Sequence, residues 1–258
     1  MSDRMPTLFV GHGSPMNAVE DNEFTRGWEK IAKSIPEPKA ILCISAHWFV
    51  PSTSITSNEQ PKTIHDFYGF PPELYRQQYS APGNPVLATK ISEILKDYSI
   101  NLDTTWGLDH GTWSVLKKMY PKADIPTIQL SINYTKPPQF HFELGHRLEL
   151  LRNMGVLIIG SGNLVHNLGA VAWNSPSLVY EWAQQFEDAI IDSLYKEDPN
   201  VFIGFENIQE IAKKSHPSPD HYLPLLYAVG AGGFEDEPIL NNQKLIHGSI
   251  SMTCFTFR

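Results

Sequence analysis

Short apolar runs bounded by glycine, proline or serine recur along the chain: TLFV (7–10), AILCIS (40–45), PTIQLSI (126–132) and GVLIIGSG (155–162). Runs this short, rich in Ile, Val and Leu and without strict polar alternation, predict strands of a sheet covered on both faces. Helical spacing fills the gaps. Residues 22–33 place Phe24, Trp28, Ile31 and Ala32 on one face, and Asn84-Pro85 opens a second helix through Val86, Ile91 and Ile94, with proline tolerated in the first turn. Phe140–Arg152 and Val179–Tyr195 continue the series, the latter carrying Trp182, Phe186, Ile190 and Leu194. His221–Ala231 is a further helix that requires Pro224 in its first turn, and the tail GSISMTCFTF (248–257) alternates like a strand with one side more exposed. Strand–helix alternation without an internal repeat predicts an α/β fold: a mostly parallel central sheet flanked by helices. The proline-rich stretches near 61–85 and 215–224 contain aromatic residues and read as long loops rather than interdomain linkers. The more polar region 196–220 is expected at the periphery. Residues 1–258 are therefore expected to form a single catalytic domain.

Composition narrows the function classes. A chain of 258 residues with 41% hydrophobic and 19% charged residues is globular rather than disordered. With 28 acidic against 20 basic side chains the net charge is -8, which argues against a nucleic-acid partner. No apolar run reaches the roughly 18–20 residues that span a bilayer, and MSDRMPTLFVGHGSP lacks the plan of a signal peptide. Cys43 and Cys254 lie in apolar runs and form no C-x-x-C pair, as expected of buried thiols in a reducing compartment. A cytoplasmic protein with a small-molecule partner is the expectation; the pattern sets no oligomeric state.

Ten histidines are the informative excess. Gly11-His12-Gly13-Ser14-Pro15 follows the first apolar run, Ser45-Ala46-His47-Trp48 the second, and Gly160-Ser161-Gly162-Asn163-Leu164-Val165-His166-Asn167 the run at 155–159. In open α/β sheets the ligand crevice lies beyond the carboxyl ends of the strands, so His12, His47 and His166 are expected to converge there on a metal. His221 opens HYLPLL after a proline-rich loop, and His110 lies in the loop Trp106-Gly107-Leu108-Asp109-His110-Gly111. Any one histidine is ordinarily a surface or hydrogen-bonded structural residue, and His65, His141, His146, His216 and His247 are read that way. His65 is the strongest exception, in a loop (Thr63-Ile64-His65-Asp66-Phe67-Tyr68-Gly69-Phe70) whose aromatics suit a pocket. G-H-G-S-P is not a phosphate loop, because Pro15 removes a backbone donor; its glycines instead permit a sharp turn that aims His12. Gly160-Ser161-Gly162 lacks the G-x-S-x-G elbow of a serine nucleophile.

GHGSPMN, SAHW, TIHDFYGFP, WGLDHGTW, GSGNLVHNL and HYLPLLYAVGA occur in this order along the chain. Together they resemble the 4,5-DOPA extradiol dioxygenase family, the branch of LigB-type class III ring-opening dioxygenases with bacterial and plant betalain-pathway members. The resemblance spans about residues 5–257. It implies an α/β sheet with the metal at one edge, and a metal-dependent insertion of both atoms of O₂ into a catechol such as DOPA, with Fe(II) expected for catalysis. By the same resemblance His12, His47 and His221 match metal positions. His166 matches a histidine that is a ligand in some relatives and the acid/base group in others. The protocatechuate-cleaving members of the wider superfamily use two histidines and a carboxylate; here the third position is a histidine. Three imidazoles with an open position also suit zinc, so the pattern leaves the metal of the purified protein open between Fe(II) and Zn(II).

A catechol binding through both oxygens must shed at least one proton, and a neutral imidazole is a suitable acceptor. That work falls to His166, with His110 as a second catalytic candidate and Asp109 placed to orient one of them through a hydrogen bond. Trp48, Phe67 and Tyr68 are either walls for a flat ring or ordinary packing. Three rival readings use the same residues. A zinc-dependent hydrolase would employ the same histidines to activate water. A tetrapyrrole metal chelatase also opens with a strand and H-G-S, but lacks counterparts of SAHW and HYLPLL. A structural zinc would favour cysteine ligands, and neither cysteine is near a histidine loop.

Overall fold

In the computed structural model, which describes residues 4–233 and 236–258, each of the four apolar runs is a strand. The chain runs β1 (Thr7–Gly11), α1 (Glu23–Ser34), β2 (Ala40–Val50), β3 (Ser54–Thr56), α2 (Pro72–Tyr75), α3 (Pro85–Ile94), β4 (Asn101–Asp103), α4 (His110–Met119) and β5 (Thr127–Asn133). It continues through α5 (Pro138–Leu148), β6 (Val156–Gly162), α6 (Glu181–Tyr195), α7 (Pro199–Phe202), α8 (Glu210–Ser215), α9 (Leu223–Gly232), β7 (Pro238–Asn241), β8 (Leu245–Ile246), β9 (Ile250–Ser251) and β10 (Cys254–Phe257). Among the described residues one eight-stranded sheet has the order β4-β3-β5-β2-β6-β1-β10-β7. Its centre, β5-β2-β6-β1, is parallel throughout, and β10 and β7 extend it antiparallel beside β1. Among the described residues no helix is long and apolar enough to cross a membrane.

Two hydrophobic layers follow from the alternation of side chains along the strands. Leu42, Ile44, Ile158 and Phe9 face the layer that contains α3, α5, α6 and α9, whereas Ile41, Cys43, Leu157 and Leu8 face the one that contains α1 and α4. Both faces are thus covered, which is why these strands carry no polar alternation. Local signals set the helix starts. Asn22 and Thr25 form a reciprocal capping box on α1, and Asn84 caps α3 ahead of Pro85. Pro224 sits in the first turn of α9. That helix has no side-chain cap; the complete burial of Leu225, Leu226, Tyr227, Ala228 and Ala231 holds it instead, at about 1.5–3 kcal/mol for each large apolar side chain.

Several elements depart from the sequence expectation. The tail at 248–257 is buried on both sides rather than half exposed, because β10 is inserted between β1 and β7 and covered on both faces. The helix expected over Phe140–Arg152 is α only to Leu148 and continues as a tighter turn over Glu149–Met154. His47 lies inside β2 rather than after it, and His110 is the first residue of α4 rather than a loop residue. The polar stretch 196–220 still buries Phe202, Phe205 and His216.

The small residues of β6 bring in the chain that carries His221. A Cβ on Gly160 would lie 2.1 Å from the Pro224 carbonyl oxygen, and one on Gly162 2.1 Å from that of His221. The same His221 oxygen accepts the Asn163 backbone N–H at 2.9 Å. Gly-Ser-Gly is therefore a seat for a second backbone, not a nucleophile loop. Gly162→Ala is expected to destabilise the protein by at least about 1–3 kcal/mol, the usual cost of overpacking, read as a lower urea midpoint at unchanged slope; an unchanged midpoint would show that the two backbones can separate without cost.

Candidate metal centre

Parallel pairing brings the carboxyl ends of β1, β2 and β6 side by side. Gly11 pairs with Gly162 and Ser45 with Ser161, so the residues just beyond these pairs, His12 and His47, emerge together. Gly13 takes a φ of +58° at the turn after His12, a conformation open to glycine at no steric cost. On β2 the pairing to β5 shifts register between Ile44 and Phe49. That bulge frees His47 from the regular ladder and re-aims its ring, a common use of bulges beside functional sites.

The rings cluster tightly. Centroids of His12 and His47 are 5.1 Å apart, His12 and His221 5.2 Å, and His47 and His221 5.1 Å. One ring nitrogen from each of these three lies within 4.8 Å of the others. His110 sits 3.8 Å from the His47 ring, and His166 lies flat on His221, centroids 3.4 Å apart and planes 8° from parallel. Each of the five histidines singled out in the sequence is in the cluster. His65, His141, His146, His216 and His247 are not: His65 bonds the Gln77 carbonyl, His141 the Tyr227 hydroxyl and His216 the Leu164 carbonyl.

The partners of each ring bear on which nitrogen carries its proton. Ser161 Oγ donates its only proton to the Gly111 carbonyl at 2.6 Å. Its 3.0 Å contact with His12 Nδ1 therefore requires the imidazole to donate, leaving a lone pair on His12 Nε2. His221 Nδ1 bonds the Asp220 carboxylate and so donates from Nδ1, while the Asp66 carboxylate, 3.2 Å from His47 Nδ1, favours the proton on that nitrogen electrostatically. The two Nε2 atoms of His12 and His47 lie 3.2 Å apart, and with both protons held on Nδ1 they present lone pairs to each other. Neither ring readily gains a second proton. Burial, reinforced by the neighbouring imidazoles, holds His12 and His221 well below the usual imidazole range and pushes His47 down to about 3. Facing lone pairs repel unless a cation lies between them, and metal–nitrogen bonds of about 2.0–2.1 Å reach both. The donor set fits a divalent metal, with each imidazole anchored at its far nitrogen.

Two residues of this arrangement, Asp66 and Asp220, are absent from the sequence reading. Each is adjacent in sequence to a histidine that drew attention first, and the pairing of a carboxylate with an Nδ1 is a signal that only spatial neighbours reveal. Asp109 does not orient a histidine directly. Its buried carboxylate accepts from Ser45 Oγ, Gln129 Nε2 and the Thr112 N–H, and caps α4. Of the three aromatic residues considered as walls, Phe67 lies edge-on to His110, Trp48 stacks on Trp106, and Tyr68 is 93% exposed. Both cysteines are free and buried.

Comparison with known proteins identifies the family. Residues 6–254 match the family described as the catalytic LigB subunit of aromatic ring-opening dioxygenase. The chain is 46% identical to the 4,5-DOPA dioxygenase extradiol of Escherichia coli K12, over 97% of this chain and 94% of that one. It is 39% identical to the protein of the same name from Beta vulgaris, over 94% and 91% of the two chains. A crystal structure of an uncharacterized Escherichia coli K12 protein superposes with a TM-score of 0.86 at 41% identity, covering 99% of this chain and all of that one. With the family match covering nearly its whole length, the chain belongs to the LigB family of aromatic ring-opening dioxygenases and is an enzyme.

Proposed function

We propose that residues 1–258 act as one catalytic domain, a metal-dependent extradiol dioxygenase that inserts both atoms of O₂ into a catechol, with DOPA or a similar compound as substrate. The observation that carries this reading is the pair of imidazoles whose Nε2 atoms lie 3.2 Å apart, with His221 beside both. The names of the bacterial and plant relatives supply the substrate class. His12, His47 and His221 hold one divalent metal, Fe(II) in turnover and Zn(II) in protein purified in air. When bound, the metal supplies Lewis acidity towards the two catechol hydroxyls and, as iron, the redox chemistry that lets O₂ react with an aromatic ring.

The remaining steps belong to the chain's own residues. His166 lies parallel to His221, so its in-plane lone pair runs in a different plane from that of the ligand beneath it. This supports a proton-handling role for His166 rather than a permanent place on the ion. Burial lowers the His166 pKa, with Asp220 opposing the shift, which keeps the ring neutral and able to accept a catechol proton at neutral pH. His110 is the second base on the opposite side, beside His47. A cytoplasmic setting accords with two buried free thiols.

The test is anaerobic reconstitution of the metal-free protein with Fe(II), followed by addition of catechols in an oxygen electrode. Catechol or DOPA should consume O₂ and give a ring-opened, visibly absorbing semialdehyde. Resorcinol isomers should be inert, because only adjacent hydroxyls chelate one ion in a five-membered ring. No uptake with any catechol, together with ester or phosphate hydrolysis by the zinc form, would replace this reading with a zinc-dependent hydrolase.

A further inference from the structure

The Asp66 carboxylate meets two imidazoles at once. Oδ2 is 3.2 Å from His47 Nδ1 and 3.0 Å from His110 Nδ1, while Oδ1 accepts the His110 backbone N–H at 2.9 Å. A carboxylate only accepts, so the hydrogen bond from His110 requires its proton on Nδ1, and the same carboxylate beside His47 Nδ1 favours the proton there as well; a neutral ring then has its lone pair on Nε2. The loop that presents Asp66 is itself pinned: the Ile64 N–H donates to the Leu108 carbonyl at 2.8 Å, and Trp113 Nε1 donates to the Ile64 carbonyl at 2.8 Å. The carboxylate is thus held by the same segment, Leu108 to Trp113, whose His110 it contacts.

We propose that Asp66 is a positioning residue that ties the metal ligand His47 to His110, locking both rings as Nδ1–H tautomers. His47 Nε2 is thereby kept for the ion, and His110 Nε2 is kept as a base for a substrate hydroxyl. One carboxylate sets the two functions together. The link to His47 rests on the reading of the cluster as a metal centre; the tautomer of His110 does not.

The informative variant is Asp66→Asn. Its Oδ1 still accepts the His110 backbone N–H, so the start of α4 is kept, while the other position becomes an N–H₂ donor that cannot accept from either ring. Nitrogen-15 NMR of the imidazoles in metal-free protein at neutral pH reads the tautomers, and zinc titration reads the affinity. In the wild type both rings should be Nδ1–H. In Asp66→Asn at least one should switch to Nε2–H, and zinc should bind about 10–100-fold more weakly, the usual worth of a partner behind a metal ligand. Unchanged thermal melting of the metal-free variant would accompany this result. An Nε2–H tautomer at His110 in the wild type, or unchanged tautomers and affinity in Asp66→Asn, would overturn the proposal. Wild-type protein that shows both Nδ1–H rings but binds no zinc would uphold the lock while sinking the metal reading.

Discussion

His47→Ala should leave the protein with almost no bound metal. Removing a partner behind a ligand already costs 10–100-fold in affinity, so removal of a ligand itself should cost more than about 100-fold. His12→Ala and His221→Ala are expected to do the same, but they are less clean. Both side chains are buried, at 1% and 5% exposure, and truncation of either also strips the partner of its Nδ1. Ser161 would lose the donor it accepts from, and Asp220 would be left as a carboxylate without its imidazole, each a penalty of about 1–3 kcal/mol or more. His47 is less deeply placed, and its loss leaves Asp66 with the two His110 contacts. Elemental analysis of the purified variants, with melting curves as the control for folding, decides the matter. Near-stoichiometric metal in His47→Ala would remove that residue from the proposed ligand set.

Replacing His166 should give the opposite pattern. His166→Gln or His166→Phe is expected to keep most of the metal while turnover falls by something like 10²–10⁴-fold, the range for a positioned general acid or base. The stacked arrangement with His221 motivates the split. Two rings 3.4 Å apart and nearly parallel do not aim their lone pairs at one point, and a catechol and O₂ together need open positions that a fourth permanent ligand would close. The Phe variant preserves the stacking surface and removes only the proton-carrying nitrogens, so it separates packing from chemistry. The pH–rate profile should lose the limb that His166 titrates. If His166→Gln instead strips metal as thoroughly as His47→Ala, the residue is a ligand and the proton falls to His110 or water.

The sequence exposed the centre of the fold and the histidines because both have local signatures. The apolar runs that became β1, β2, β5 and β6 advertise burial on both faces; His12 and His110 adjoin glycine, and His47, His166 and His221 lie within a few residues of serine, glycine or proline, in places where packing gives no reason for imidazole. The periphery carried weaker signals. Strands β3, β4 and β7 are three or four residues long, too short for periodicity to register. Helix α4 was hidden by the glycine at its second position and by a histidine read as loop. The exposure expected along the tail failed because Thr253 and Ser251 look like a solvent face, whereas their hydroxyls both bond the buried Glu187 of α6. Asp66 and Asp220 were missed for a different reason. Their function is to accept from a ring nitrogen, and which nitrogen lies nearby is a property of the assembled site alone.

That assembly has a kinetic side. The serine that sets the His12 tautomer is 149 residues away along the chain, and β1 itself is flanked by β6 and by β10, with Thr7 opposite Phe257. The segment after His166 is fixed in turn by Ser249, whose carbonyl accepts the Asn167 N–H and whose hydroxyl donates to the Asn167 carbonyl. Contacts this distant form late, since loop closure must precede the interactions that reward it. The cluster is consequently expected to form only as the fold nears completion. A ligand that recognises it acts on the native side of the folding barrier: it slows escape from the native state and leaves the speed of arrival to the sheet.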